Sequence, residues 1–144
     1  MIVHAGCAAI RLRQGWAGVL ITGPSGAGKS DLTLRLLARG WRLVADDRVQ
    51  LWTSGGRLYA KAPDALAGLV EARGLDVVTL PRLEVAGVAL VAECVPPSEP
   101  LERLPEQGTV SIGGVEVARV RMRALEPSAP LKLELALAHQ GAEV

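Results

Sequence analysis

The chain has 144 residues, enough for one domain with a buried core, and 16 Lys and Arg against 15 Asp and Glu leave a formal net charge of +1. Its basic residues are scattered singly and only 3% of residues are aromatic, with no Phe, which argues against a nucleic-acid surface of either the electrostatic or the stacking kind. No apolar run approaches the roughly 20 residues that span a bilayer, so no membrane association is expected.

In chain order, residues 2–12 read as one or two short strands broken near Gly6, and residues 16–22 as a short buried strand. A glycine-rich turn follows, then a helix over 29–40 whose leucines at 32, 34, 36 and 37 cover a broad face and whose stop is Gly40. Residues 41–45 look like the next strand, ending at Asp46 and Asp47. Strand, loop, helix, strand is the grammar of a nucleotide-binding α/β unit. Residues 48–62 predict a hairpin about Ser54, Gly55 and Gly56. A short helix is expected over 64–74, then strands over 77–80 and 83–95, and a proline-rich loop over 96–106. A second hairpin over 109–122 turns at Gly113 and Gly114, and a C-terminal helix over 129–141 is marked by Leu131, Leu135 and Ala138. No internal repeat or linker divides the chain, so 1–144 is read as a single domain, and the hairpins imply a mixed sheet. Cys7 and Cys94, distant and outside any Cys-x-x-Cys spacing, read as small buried residues rather than as a zinc site or a disulfide. The six residues before Cys7 carry neither a charged nor an apolar leader region, so a cytoplasmic protein is expected.

Gly23, Pro24, Ser25, Gly26, Ala27, Gly28, Lys29 and Ser30 match the phosphate-loop pattern G-x-x-x-x-G-K-[ST] in full, after a predicted strand and at the start of a predicted helix. The glycines let backbone N–H groups curl around a phosphate, and the helix N-terminus adds its partial positive charge. Lys29 suits the β- and γ-phosphates, and the Ser30 hydroxyl suits Mg²⁺. A nucleoside triphosphate site is expected, but GTPases, ATPases and small-molecule kinases share the motif. The absence of an Asn-Lys-x-Asp segment argues against a GTPase.

Asp46 and Asp47 stand where a phosphate-loop sheet usually supplies its metal-holding acid. One carboxylate suffices for Mg²⁺; a second allows removal of a proton from an attacking hydroxyl. Beside a cation, two adjacent carboxylates can divide these tasks. Taken alone, the pair also fits two turn aspartates at the end of a strand.

The segments GPSGAGKSDL (23–32), WRLVADDRV (41–49) and VEARGLDVV (70–78), in this order, resemble the catalytic domain of HPr kinase/phosphorylase, the bacterial enzyme that phosphorylates a serine of the phosphocarrier protein HPr. The resemblance covers about residues 2–79, and the short length is similar to the alphaproteobacterial forms that lack the family's N-terminal domain. It implies an α/β phosphate-loop fold of the HPr kinase/PEP carboxykinase type. It also implies ATP and Mg²⁺ as cosubstrate and cofactor, HPr as protein partner, and a role in regulating the phosphotransferase system and carbon metabolism. It makes Lys29 catalytic and one aspartate of the pair a base toward the serine, acting as acid in phosphorolysis. Asp47 is favoured as base, with Asp46 at or beside the metal and the reverse order left open. Glu71, in the match to Glu-x-Arg-Gly-Leu, becomes a metal ligand instead of a residue on a helix surface, and His4 matches the family's histidine before the loop.

Two departures stand out. Asp31 occupies a place where many members carry Glu, which keeps the charge. The family's late proline-glycine-arginine-asparagine motif has no counterpart: residues 126–136 fill a comparable place with Lys132 as the basic candidate. Arg73 and Lys132 are therefore the candidate anion contacts, and phosphorolysis and the hexamer of the long forms stay open. Self-association is expected from exposed strand edges. Two other readings compete. A small-molecule phosphate-loop kinase usually carries an arginine-rich helical lid, whereas the second half here is dominated by strands. A non-catalytic nucleotide-binding regulatory module has no need of Asp46, Asp47 and Glu71 together.

Overall fold

The computed structural model describes residues 1–140; Gly141, at the end of the expected C-terminal helix, and the rest of the expected domain to residue 144 lie outside them. Strands β1 (Ile2–His4) and β2 (Gly6–Leu12) open the chain, broken at Ala5, and β3 (Gly15–Thr22) leads into the glycine-rich loop. Helix α1 (Lys29–Ala38), β4 (Arg42–Ala45) and the hairpin β5 (Arg48–Ser54) and β6 (Arg57–Lys61) come next, as expected. Then come β7 (Leu69–Ala72), β8 (Asp76–Thr79), β9 (Ala86–Cys94), the hairpin β10 (Gly108–Ile112) and β11 (Val115–Met122), and helix α2 (Ala129–His139).

Among the described residues, nine strands form one mixed sheet that branches at β9. β3 runs parallel along one edge of β9, from Ala17 opposite Gly87 to Thr22 opposite Glu93. The other edge is divided. β6 pairs antiparallel with Ala86 and Gly87, whereas β11 pairs parallel with the stretch from Leu90 to Cys94. The central strands are buried on both faces, which is why they read as continuous apolar runs rather than alternating ones. Val19, Ile21, Leu90 and Ala92 pack against Leu32 and Leu36 of α1 and Leu133 and Leu137 of α2. Leu20 and Val91 face the opposite way, toward Val49, Leu51 and Leu58 of the β5–β6 hairpin. Both cysteines are free and buried, Cys7 in the hairpin-side core and Cys94 in the helix-side core.

The helix expected over 64–74 is not formed. A single 3₁₀ turn spans Asp64–Leu66, the extended backbone of Ala67 (ψ 124°) ends it, and Gly68 follows in a left-handed conformation at φ +79°. Val70 then buries its β-branched side chain while Glu71 points to solvent, the period of a strand rather than a helix. β7 pairs with β8 as a separate two-stranded sheet, from Leu69 opposite Thr79 to Ala72 opposite Asp76, and Leu75 N–H closes the turn on Ala72 C=O at 2.9 Å. Glu71 therefore sits on a strand.

The strand expected from residue 83 begins only at Ala86, because Leu83 N–H is used on Leu43 C=O at 2.7 Å at the far side of β4. Helix α2 forms, but the residues that mark its spacing point outward. Leu131, Leu135 and Ala138 are exposed, and the buried stripe is Ala129, Pro130, Leu133 and Leu137, since a helix apolar on several sides offers more than one face to the core.

Candidate active site

The phosphate loop hangs between the end of β3 and the first turn of α1. Ala27 N–H bonds to Pro24 C=O at 3.1 Å, and Leu32 N–H to Gly28 C=O at 2.9 Å starts the helix. Gly28, at φ +94°, is the hinge of this entry. A Cβ at Gly28 would come within 2.6 Å of Leu125 Cδ2, so an alanine there meets both backbone strain and a clash. Lys29 Nζ donates to Gly23 C=O at 2.6 Å and to Pro24 C=O at 3.0 Å, which holds the ammonium at the loop.

The two aspartates are turned to different surroundings by the backbone that carries them. Between β2 and β4 the register slips by one residue at Val44, since Cys7 pairs with Ala45 but Ala8 with Leu43. Such a bulge bends the strand and re-aims the side chains beyond it. Next comes a three-residue turn: Arg48 N–H bonds to Asp46 C=O at 2.7 Å around Asp47. Asp47 takes φ +66°, and no other non-glycine among the described residues has positive φ. This is the rarer and more strained hand of that turn, tolerated best by Asp and Asn. Ala5 N–H, at the break between β1 and β2, holds it from the other side through Asp47 C=O at 3.1 Å.

As a result Asp46 is buried, 6% exposed, and points at the phosphate loop. Ser30 Oγ donates to Asp46 Oδ1 at 2.9 Å, and Glu71 N–H donates to Asp46 Oδ2 at 3.3 Å. Burial raises the Asp46 pKa above its ordinary value; the Ser30 hydroxyl and the Glu71 N–H offset part of that rise, and the neighbouring Asp47 charge adds to it. Asp47 instead faces outward, its side chain 61% exposed, where His4 Nε2 donates to its Oδ1 at 2.7 Å. Arg48 Nε lies 4.0 Å from its other oxygen.

These groups open on one cavity of about 370 Å³. Ser25, Gly26, Gly28, Lys29 and Ser30 line it from the loop, and His4, Asp46 and Asp47 from the sheet. The β7–β8 hairpin contributes Glu71, Ala72 and Arg73. Of the sequence-derived candidates, Gly23, Pro24 and Ala27 belong to the loop but do not line the cavity, and Lys132 lies off the loop, its ammonium paired with Glu126 and likewise outside the lining. Arg73 is the cation that reaches the site from the hairpin. Leu34 and Leu125 also line the cavity and were not singled out from the sequence. The role of the Glu71 backbone N–H was also hidden, because it depends on a tertiary contact with Asp46.

The oxygen set suits a hard divalent cation. Ser30 Oγ and the Asp46 carboxylate already meet at 2.9 Å. Among the described residues no cluster of three His, Cys, Asp or Glu forms a self-sufficient metal cage. Mg²⁺ needs no such cage, since it binds through one or two protein oxygens and fills its shell with water and phosphate. Ser30 and Asp46 would hold it, with Glu71 nearby on the same cavity wall.

Without a cation, the burial of Asp46 has a measurable consequence. A carboxyl whose folded-state pKa is raised stabilises the fold at pH below its unfolded value of 3.8, and that stabilisation is lost as pH rises through the folded-state value. Asp46→Asn, free of that loss, is expected to gain in melting temperature relative to wild type as pH rises in magnesium-free buffer, from a low-pH baseline set by the amide's poorer match to the Ser30 and Glu71 donors. The gain should grow from about pH 4 and level off once Asp46 is ionised. Thermal unfolding across pH checks this; a difference that does not change with pH would contradict it.

The model of the HPr Serine kinase C-terminal domain family matches residues 12–93, which takes in the phosphate loop, both aspartates, Glu71 and Arg73. HPr kinase/phosphorylase of Clostridium tetani is 47% identical over 66 residues, 46% of this chain and 22% of that protein. HPr kinase/phosphorylase of Limosilactobacillus reuteri is 37% identical over 114 residues, 72% of this chain and 36% of that protein. The chain thus spans between about a fifth and just over a third of the length of these curated relatives. Among solved structures, the Hpr(Ser) kinase/phosphatase from Coxiella burnetii superposes with a TM-score of 0.81 at 26% identity, covering 98% of this chain and 96% of that one.

Proposed function

The chain belongs to the family of the HPr Serine kinase C-terminal domain, and from that membership we propose that it transfers the γ-phosphate of ATP, with Mg²⁺, to a serine of an HPr-like phosphocarrier protein. The reaction takes place in the cytoplasm and serves regulation of the phosphotransferase system and carbon metabolism. The observation that carries this reading is the division of the aspartate pair. Asp46 is buried against the Ser30 hydroxyl of the phosphate loop, while Asp47 stands open in the same cavity with His4 bonded to it.

The roles derive from those positions. The loop amides and Lys29 bind and orient the phosphates, so that a serine hydroxyl entering the cavity meets the γ-phosphate in line. Asp47 receives the hydroxyl proton as the new O–P bond forms and the bond from the γ-phosphorus to the bridging oxygen breaks, with ADP as leaving group. His4 fixes the Asp47 carboxylate through its 2.7 Å bond. Ser30 and Asp46 hold Mg²⁺, which when bound neutralises charge on the phosphate oxygens. Arg73 gives the acceptor side a cation for an anionic group.

Glu71 belongs to the same magnesium side, through its carboxylate on the cavity wall and its N–H on Asp46. Glu71→Gln keeps the shape and the backbone bond but removes the charge, so it is expected to raise the magnesium concentration needed for half-maximal transfer. An unchanged magnesium dependence would return Glu71 to a solvent-facing strand residue. The activity itself is tested by transfer of label from γ-labelled ATP to HPr with and without Mg²⁺. Label on HPr only with the metal is the expected result.

Self-association is part of the proposal, because β1 and β10 end the two limbs of the sheet as edge strands. Light scattering that returns the monomer mass at every concentration would contradict it.

A further inference from the structure

The two flanks of the phosphate loop have different chemistry. Ser30 turns to Asp46, with Asp47 and His4 beyond it. Gly28 turns to Leu125, whose Cδ2 lies 2.6 Å from where a Gly28 Cβ would stand. Leu125 is 53% exposed and lines the cavity.

An exposed leucine alone means little, but this one is held in place. Arg35 of α1 donates through Nη2 to Ala124 C=O and through Nη1 to Glu126 C=O, the carbonyls on either side of Leu125, the latter at 3.0 Å. Arg35 Nε is in turn fixed by Asp31 Oδ2 at 2.8 Å. One guanidinium, anchored on the helix that starts at the phosphate loop, thus brackets the segment that lays an apolar side chain over that loop. Two charge-assisted bonds to flanking carbonyls specify position more than burial does.

A nucleoside triphosphate has one end that answers to an apolar surface, the base with its ribose, and this end lies farthest from the γ-phosphate. If the γ-phosphate faces Asp47, the nucleoside leaves the loop on the other flank. We propose that Leu125 is the nucleoside contact of the phosphate donor, presented by Arg35, so that the site binds phosphates through its loop and the base through this one apolar side chain. The inference rests on the reading of the cavity as a nucleoside triphosphate site and adds which residue meets the base.

The test compares two donors that differ only in the nucleoside. Wild type, Leu125→Ala and Leu125→Met are titrated with ATP and with inorganic triphosphate, each with Mg²⁺, by calorimetry. Leu125→Ala is expected to weaken ATP by about tenfold, from the apolar contact removed. It should leave inorganic triphosphate within about twofold, and Leu125→Met should restore ATP affinity. Equal weakening of both ligands would mean that Leu125 only shapes the loop, and no weakening of either would place the base elsewhere; each result overturns the inference. Wild type that binds neither ligand overturns this inference and the proposed function together. Leu125-dependent ATP binding without transfer to HPr contradicts the kinase reading alone.

Discussion

Asp47→Asn is expected to lower phosphotransfer by about 10²–10⁴-fold, the usual worth of a positioned general base, while ATP and Mg²⁺ still bind. Asparagine is the informative replacement here. It tolerates the left-handed backbone that residue 47 occupies at φ +66°, and its carbonyl oxygen still accepts from His4. What is lost is the negative charge and with it the ability to take a proton. Alanine would lose the local side-chain hydrogen bonding that makes this backbone tolerable for Asp and Asn, and would blur the result. Asp46→Asn should differ in kind, because Asp46 is buried against Ser30 on the cavity wall whereas Asp47 stands exposed in it. Its loss should appear as weakened magnesium use, with transfer partly recovered at high metal. If Asp47→Asn transfers normally and Asp46→Asn fails with metal binding intact, the roles are inverted.

Lys29→Ala is expected to lower kcat/KM for ATP by about 10²–10³-fold or more, the range for removing one preorganised charge stabiliser. The fold should survive. The bonds lost are those from Nζ to Gly23 C=O and Pro24 C=O, carbonyls on a half-exposed loop that water can reach. Titration with ATP and a thermal melt check the two parts of this expectation. Wild-type affinity in the variant would remove the phosphate-loop assignment.

A feature of this protein is legible in its sequence to the extent that it is local. The phosphate loop, α1, and the hairpins turning at Gly55 and Gly113 are set by neighbours within a few residues, so spacing and turn chemistry find them. Asp46 and Asp47 were recognisable as a pair, but their division depends on the bulge at Val44 and on Ala5, which the sequence does not announce. The segment 64–74 misleads because its alanines and leucines suit a helix, while pairing with β8 and the left-handed Gly68 decide for a strand. The β9 branch and the placement of Leu125 over Gly28 depend on contacts between distant parts of the chain, as the Arg35 bond to Ala124 across 89 positions illustrates. Lys132 shows the converse: sequence position made it the stand-in for a missing arginine, yet Glu126 takes its charge.

A serine of an HPr-like protein is the proposed acceptor of phosphate in this cavity. The most direct test is mass spectrometry of HPr after incubation with the protein, ATP and Mg²⁺, beside HPr with its target serine replaced by alanine. One added phosphate is expected on the serine of intact HPr, none on the alanine form, and none when Asp47→Asn replaces wild type over the same short incubation. Unmodified HPr from a wild-type protein that demonstrably binds ATP and Mg²⁺ would contradict that role for the serine, and would make the chain a nucleotide-binding module instead of a kinase.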